Sequence, residues 1–263
     1  MKYLVFFDGS RYAQDLLRYG LRRAARSGAE AIVLSVFHRE LFVGYEGLNA
    51  EARARREFDA GLDGARETIR TLGGGLSVSL YSAEGSPEES VLGMAEAERV
   101  DAIFLPPRYR HFQKKTNIPV AIVPGTLLFP VDGSHDALTI TAEVAMEALE
   151  SGSRVIVLGV VPVHLYSRSE AAQLEAVQAA TAEALEQAAK SLRACGIETD
   201  VVIRNGYPDD EILRAASEFA VSAIIFSGGG VTPSELRKAA YVLLSDREHI
   251  RFPLLFVPAA DGA

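Results

Sequence analysis

The chain has 263 residues, of which 48% are hydrophobic and 24% are charged, and its formal net charge is −8. This balance is typical of a globular protein, and the negative charge argues against a general affinity for nucleic acid or for an anionic membrane surface. A single cysteine, Cys195, excludes an intrachain disulfide and a cysteine metal cluster. The apolar run in MKYLVFFDGS is too short for a signal-peptide core or a membrane span, so we expect a cytoplasmic location.

Short apolar, β-branched runs alternate with helical stretches along the first half of the chain. The runs predict strands over Leu4–Phe7, Ala31–Phe37, Leu76–Tyr81, Ala102–Leu105 and Val120–Val123. Such runs are typical of strands buried on both faces of a parallel sheet, and their alternation with helices predicts βαβ units. In the second half, the Ala-rich run Ala171–Ala194 predicts a long helix with one buried face.

Several helix starts are marked by capping residues and prolines. Asp8 and Ser10 follow the first strand and are predicted to cap the first helix, and Asp132 is predicted to do the same in the second half. Pro87 and Pro208 are predicted in the first turn of a helix, where acidic residues after them favour the positive helix end.

The second half of the sequence repeats the first. Four blocks recur in the same order: YLVFFDGSRYA from Tyr3 as LLFPVDGSHDA from Leu127, SGAEAIVLSVF from Ser27 as SGSRVIVLGVV from Ser151, EGSPEESVLGMAE from Glu84 as NGYPDDEILRAAS from Asn205, and IPVAIVP from Ile118 as FPLLFVP from Phe252. The first two blocks share one offset, so no insertion or deletion separates them. The chain is therefore predicted to be a tandem duplication of one α/β domain, over residues 1–124 and 125–263.

Three features seen in both halves resemble the universal stress protein family in its tandem form: Asp-Gly-Ser after the first strand, a Gly-x-Pro helix start, and an apolar last strand with a proline near its start. The resemblance covers nearly the whole chain. It implies two flavodoxin-like (HUP-type) domains, each with a five-stranded parallel open sheet of order 3-2-1-4-5 flanked by helices. Ligands of such domains bind at the carboxyl ends of strands one and four. ATP-binding members of the family have Gly-x-x-Gly after strand four and, further along, Gly-Ser or Gly-Thr.

The resemblance implies an adenine-nucleotide site with a degenerate glycine loop in the second repeat. Asp132 matches the family's aspartate near the adenosine, and Val161 falls near the residue whose backbone meets adenine. Ala240 and Tyr241 take the place of the later Gly-Ser pair, so Ser245 is the remaining hydroxyl candidate if the loop is rearranged. ATP, ADP or AMP, with Mg²⁺, is expected at Asp132, Val161, Ser227, Gly228, Gly229, Gly230 and Ser245. The alternative for the glycine string is a plain turn leading into a helix at Thr232 and Pro233.

The first repeat has lost this loop. It passes from Pro106 to Pro119 over about half the length that the second repeat spends between Ser227 and Pro253. Pro106 and Pro107 also remove two backbone N–H donors where phosphate would need them. The first domain is therefore predicted not to bind ATP in the manner of the family.

The segment Arg108–Lys115 combines basic residues with Tyr109 and Phe112, a pattern found in proteins that bind single-stranded nucleic acid. Such a run is more often a solvated loop, or pairs with acidic surface of the other half, so nucleic-acid binding is not expected. The five histidines lack metal-ligand spacing, and neither a Walker lysine nor a first-strand GxGxxG is present. No catalytic residue and no metal ligand is therefore predicted.

The resemblance thus implies a non-enzymatic stress-response regulator that binds an adenine nucleotide in its second domain only. The alternative is a scaffold or interaction protein for unknown protein partners, assembling through the last strands IPVAIVP and FPLLFVP. These strands are predicted to pair the two halves as a pseudo-dimer within the chain, or two chains as a homodimer. A further alternative is a weak, Mg²⁺-dependent ATPase. No membrane partner is expected.

Overall fold

The computed structural model of the chain describes residues 1–10, 12–38, 47–132, 140–227, 235–245, 250 and 252–257. The chain divides into two compact units, Met1–Pro124 and Gly125–Ala263. We refer to them as the first and the second domain.

The first domain alternates strands with helices. Its strands are β1 (Lys2–Phe6), β2 (Glu30–Phe37), β3 (Val78–Glu84), β4 (Ala102–Leu105) and β5 (Val120–Ile122). Its helices are α1 (Ala13–Ser27), α2 (Gly47–Leu72) and α3 (Pro87–Ala97), and a 3-10 helix (Pro107–Lys114) joins β4 to β5.

The second domain has the same alternation. Its strands are β6 (Thr126–Pro130), β7 (Arg154–Val161), β8 (Thr199–Asn205), β9 (Ala223–Ser227) and β10 (Leu254–Val257). Its helices are α4 (Thr141–Ser151), α5 (Ala171–Ala194), α6 (Pro208–Glu218) and α7 (Glu235–Ser245), with short 3-10 helices at Val163–Leu165 and Arg168–Glu170.

Each domain contains one five-stranded sheet in which the described strand pairs are all parallel. The strand order is β3-β2-β1-β4-β5 in the first domain and β8-β7-β6-β9-β10 in the second. Both orders are the predicted 3-2-1-4-5, so the doubly wound α/β fold is confirmed. In such a sheet the order reverses beside the first strand, which opens a crevice at the carboxyl edge between strands one and four.

Alternate residues of the central strands enter different cores. In β1, Val5 packs with α1 and α2 on one face of the sheet, whereas Leu4 and Phe6 pack with α3 and the 3-10 helix on the other. The second domain repeats this division, with α4 and α5 on one face and α6 and α7 on the opposite face. The central strands are therefore buried on both faces, as their apolar runs predict.

The edge strands β3 and β8 differ from that prediction, whereas the opposite edge strand β5 is buried. The predicted third strand, Leu76–Tyr81, lies instead at Val78–Glu84, and its residues are half-buried or exposed. Tyr81 on β3 and Ile203 on β8 are exposed over 43% and 46% of their surface. An edge strand has a neighbour on one side only, so an apolar composition alone does not show that it is buried.

Helix starts follow the sequence in part. Pro87 and Pro208 occupy the first turn of α3 and α6, as predicted. The prediction that Asp8 and Ser10 cap α1 is wrong, because the residue before the helix is Tyr12 and no side chain caps it. Asp132 likewise lies well before α4, which begins after Ile140. Both aspartates therefore lie at the carboxyl edge of a sheet and not at a helix start.

Candidate functional site

Asp8 and Asp132 hold equivalent positions at the carboxyl edges of the two sheets. The Phe7 amide donates to the Leu34 carbonyl at 2.8 Å, and the Val131 amide donates to the Leu158 carbonyl at 2.8 Å. Each aspartate is the next residue, beside the crevice where the strand order reverses. The sequence repeat is therefore also a repeat of the site position.

In the first domain, Arg108 forms an ion pair with Asp8. One guanidinium nitrogen of Arg108 lies 2.6 Å from Oδ2 of Asp8, whose side chain is only 1% exposed. The same nitrogen lies 3.4 Å from the Asp8 carbonyl oxygen, and Oδ1 accepts the Ser10 amide at 2.9 Å. The Asp8 carboxylate therefore has a cationic neighbour from its own chain, although Oδ2 makes no hydrogen bond of acceptable geometry with a described residue.

Aromatic packing holds this arginine in place. Its guanidinium carbon lies 4.9 Å from the centre of the Tyr109 ring, which packs edge-on against Phe6 at 5.0 Å. Burial raises the pKa of Tyr109, an effect that the nearby Arg108 charge partly opposes. Phe112, in the same 3-10 helix, is 1% exposed. The segment that replaces the glycine loop is therefore anchored in the first-domain core.

The basic run of this segment has acidic partners within the first domain. Lys115 lies 2.6 Å from Glu88, and Nε2 of His111 lies 3.6 Å from the same carboxylate. The basic side chains of the run are exposed, as expected of a solvated segment, but these contacts and the Arg108 pair are with carboxylates of the first domain. Because Arg108 and Lys115 already face carboxylates, the run is poorly suited to a nucleic-acid backbone.

Replacing Arg108 by Ala is expected to destabilise the first domain by about 1–3 kcal/mol, because the Asp8 carboxylate stays buried and loses its charged partner. The value should fall toward the lower end, since the Arg108 side chain is 56% exposed and water can reach its place. Urea denaturation measures the change. In an Asp8→Asn background, the same substitution should cost clearly less, since the buried charge is absent.

Lys114→Ala is the matched control for Arg108→Ala. Lys114 is an exposed cation in the same 3-10 helix, so its removal should change the stability by no more than about 0.5 kcal/mol. Equal effects of Arg108→Ala with and without Asp8 would show that the pair does not contribute to stability.

In the second domain, three of the predicted residues meet at the carboxyl edge. Asp132 follows β6 and is partly exposed, Val161 is the buried last residue of β7, and Ser227 is the last residue of β9. The register of β6 and β9 pairs Leu128 with Ile224, and its continuation sets Ser227 level with the residue before Asp132. Asp132 and Ser227 thus flank the crevice where the strand order reverses.

The backbone of Val161 already has one partner. Its carbonyl accepts the Gly206 amide at 3.1 Å, as the Phe37 carbonyl accepts the Gly85 amide at 3.0 Å in the first domain. A carbonyl oxygen has two lone pairs, so Val161 retains one acceptor position. Val161 as a whole is 0% exposed, backbone included, so a base can contact its carbonyl only after neighbouring residues move.

Ser245 lies apart from these three residues. It is the last residue of α7, and its hydroxyl donates to the Val242 carbonyl at 2.8 Å. Because β9 and β10 are parallel neighbours, the chain between them must return to the opposite edge of the sheet. The end of α7 is about 15 Å from its start by the rise of an α-helix.

The later motif positions lie inside the same helix. Ala240 is 5% exposed in the core and Tyr241 is 60% exposed, and both are past the first turn of α7. Only the first four amides of a helix are free of intrahelical bonds, so these two are not available to phosphate. The glycines Gly228, Gly229 and Gly230, and the alternative helix start at Thr232 and Pro233, lie outside the described residues.

Sequence reasoning missed two features of the carboxyl edges. The pairing of Arg108 with Asp8 depends on two segments far apart in the chain, and no local pattern indicates it. The second feature is a stack of His164 on Tyr207, with ring centres 4.0 Å apart. Its signal was present in the repeat, because Tyr207 stands where the first half has Ser86.

The two edges differ in their fit to a nucleotide. In the first domain, Arg108 lies against the Asp8 carboxylate and the glycine loop is missing from the sequence. In the second domain, Asp132 holds the equivalent place beside the crevice, where a carboxylate suits ribose hydroxyls. The glycine string Gly228–Gly230 would bind the phosphates.

The family model of the universal stress protein family matches residues 1–123 and again residues 125–237. The chain belongs to the universal stress protein family. Its two matches cover the two domains, so the tandem form is confirmed as well. No curated protein sequence gives a significant match to this universal stress protein.

Solved universal stress proteins are similar to this chain. One from Archaeoglobus fulgidus is 16% identical, with 98% of each chain covered and a TM-score of 0.41. One from Burkholderia pseudomallei is 22% identical over 52% of this chain and 97% of its own, with a TM-score of 0.42. A third, solved in complex with cAMP, is 19% identical over 52% of this chain and 99% of its own, with a TM-score of 0.37.

No helix in the described part of the universal stress protein is long and apolar enough to cross a membrane. No group of three or more His, Cys, Asp or Glu side chains in the same part is arranged to hold a metal ion.

Proposed function

We propose that this universal stress protein is a regulator that binds an adenine nucleotide in its second domain only and does not hydrolyse it. The observation that carries the proposal is the contrast between the two equivalent carboxyl edges. At the first, Arg108 from the segment that replaces the glycine loop lies 2.6 Å from the Asp8 carboxylate, whereas at the second Asp132 holds the equivalent place in a domain that keeps the loop sequence. Only the second domain also has the glycine string, Gly228–Gly230, after its fourth strand.

Each of three strand ends would contact a different part of the nucleotide. The Asp132 carboxylate accepts hydrogen bonds from ribose hydroxyls, and the Val161 backbone meets the base. Backbone amides of the glycine string suit phosphate oxygens, because residues without a Cβ permit close approach. A bound Mg²⁺ would supply positive charge to the phosphates.

Calorimetry with Mg-ATP, ADP, AMP and cAMP, on protein stripped of retained ligand, tests the proposal. We expect one site per chain for at least one of these nucleotides. The double substitution Gly229→Trp and Gly230→Trp is expected to abolish binding, since two indole rings would fill the phosphate position. The midpoint temperature of thermal unfolding should be unchanged.

Gly74→Trp is the matched control. Gly74 is exposed in the first domain, and a Cβ at this position would meet no atom within 4 Å, so binding should be unchanged. Unchanged affinity in the double variant would refute the assignment to the glycine string. Mg²⁺-dependent phosphate release that disappears with Asp132→Ala would refute the non-enzymatic part and favour the weak ATPase.

A scaffold or interaction protein is the second candidate function, favoured by the placement of α7. Ala240, at one of the family's phosphate-binding positions, packs in the core, and the hydroxyl of Ser245, the substitute candidate, is bonded to its own helix. This function predicts no binding heat with any of the four nucleotides. Pairing through the last strands, as a pseudo-dimer or a homodimer, stays a prediction, and ultracentrifugation measures the dimer.

A further inference from the structure

Two aromatic side chains stack on each other at the carboxyl edge of the second sheet. His164 lies in the short 3-10 helix after β7, and Tyr207 lies between β8 and α6. Their ring centres are 4.0 Å apart and their planes differ by 24°. Both side chains are nevertheless exposed, Tyr207 over 57% of its surface. The stack therefore presents planar aromatic surface to solvent.

The stack adjoins the predicted position of the base. Tyr207 directly follows Gly206, whose amide donates to the Val161 carbonyl at 3.1 Å. Only Pro162 and Val163 separate His164 from Val161, so His164 follows the acceptor of this hydrogen bond as Tyr207 follows its donor. A group that meets the Val161 backbone from the crevice would thus have the two rings as its neighbours.

The first domain shows what this position does without the aromatic ring. There Ser86 precedes the proline of α3, and its hydroxyl accepts the Glu89 amide at 3.4 Å. Tyr207 precedes the proline of α6 at the equivalent place, and its side chain makes no capping bond. The tyrosine therefore gives up a stabilising helix cap, which points to a role outside the helix.

The charge around the stack selects the kind of group that suits it. Asp209 and Asp210 lie in the first turn of α6, directly after Tyr207 and Pro208, whereas Glu211 of the same turn is paired with Arg204 and Arg214. Carboxylates repel phosphates, so the charged end of a nucleotide is disfavoured here. An uncharged purine gains from stacking on aromatic rings, whatever its exocyclic groups.

We infer that the His164–Tyr207 stack is a platform for the purine base of the nucleotide bound by the second domain, an inference that rests on the proposed function. It adds two residues to the site that the family resemblance does not provide. It also orients the ligand, with the base at the β7 and β8 ends and the phosphates toward the crevice between β6 and β9.

Tyr207→Ala in the full chain tests the platform, with calorimetry of Mg-ATP and of inorganic triphosphate. Loss of the ring is expected to weaken ATP binding about fivefold to a hundredfold, the range for removing one aromatic partner of a base. Tyr207→Phe keeps the ring and should stay within about twofold of wild type. Any affinity for inorganic triphosphate should be the same in all three proteins, because it has no base.

Tyr81→Ala serves as the control, since Tyr81 is a similarly exposed tyrosine of the first domain. Wild-type ATP affinity in Tyr207→Ala would overturn the platform and leave the nucleotide site standing, and so would tighter binding. A loss shared by Tyr207→Phe would also overturn it, because the ring would not be the cause. A wild-type protein that binds neither ATP nor adenosine would overturn the platform and the proposed function together.

Discussion

Replacing Leu185 by Ala is expected to lower the free energy of unfolding of the second domain by about 2–5 kcal/mol. Leu185 lies on α5, is fully buried, and belongs to the core that α5 forms with β6 and β7. Its side chain also lies close to Gly159 of β7. The truncation leaves a cavity between helix and sheet, which the rigid strand cannot close.

Leu149→Ala is the same chemical change at an exposed site of the same domain. Leu149 is 60% exposed on α4, so its truncation should stay within about 0.5 kcal/mol of wild type. Urea denaturation gives the size of both effects, and hydrogen exchange locates them. The exchange of β6 and β7 amides should accelerate in the Leu185 variant alone. Similar losses in the two variants would contradict the assignment of α5 to the core.

Replacing Gly20 by Ala is expected to destabilise the first domain by about 1–3 kcal/mol. A Cβ at Gly20 of α1 would lie 2.5 Å from a methyl carbon of Val5 on β1, much closer than two carbons can approach. Either α1 or β1 must shift to accept it. The helix therefore needs glycine at this position to lie close to the central strand.

Val5→Ala removes the colliding methyl group, so it tests whether the collision causes the destabilisation by Gly20→Ala. The remaining Val5 Cβ would be 3.6 Å away, an ordinary contact distance. In that background, Gly20→Ala should become neutral or stabilising by up to about 1 kcal/mol, because alanine favours helix more than glycine does. Urea denaturation of the four proteins gives the coupling. Equal losses in both backgrounds would rule out the collision as the reason.

Much of the fold could be predicted because the duplicated sequence supplies each pattern twice. The long helix Ala171–Ala194 was predicted with its observed ends, and Pro87 and Pro208 mark helix starts. These features depend on local preferences, such as the fixed φ of proline and the spacing of apolar residues. Local preferences are visible in a single sequence.

The start of α1 could not be predicted in this way. Asp8 and Ser10 are good capping residues, but the Asp8 carboxylate pairs with Arg108 from a segment remote in sequence. The ion pair with Arg108 engages the side chain that a local capping rule predicts as the N-cap of α1. The helix begins after Tyr12 instead.

The candidate site was predicted in part for a related reason. Asp132 and Val161 follow the strands that the pattern locates, so their common edge follows from the parallel topology. Ser245 depends on where the helix after β9 begins and ends, and its hydroxyl bonds within that helix. The partners of Tyr207 and Arg108 depend on which loops meet in space.

The arginine on Asp8 gives the first domain a permanent internal counter-ion. A domain that binds a nucleotide gains stability as the ligand accumulates, about 2.7 kcal/mol at a hundredfold excess over Kd. Under the proposed function the second domain would gain this stability and the first would not, so one chain would join a ligand-insensitive reference to a ligand-sensitive copy of the same fold. Differences in heat resistance between its halves would then report the nucleotide level.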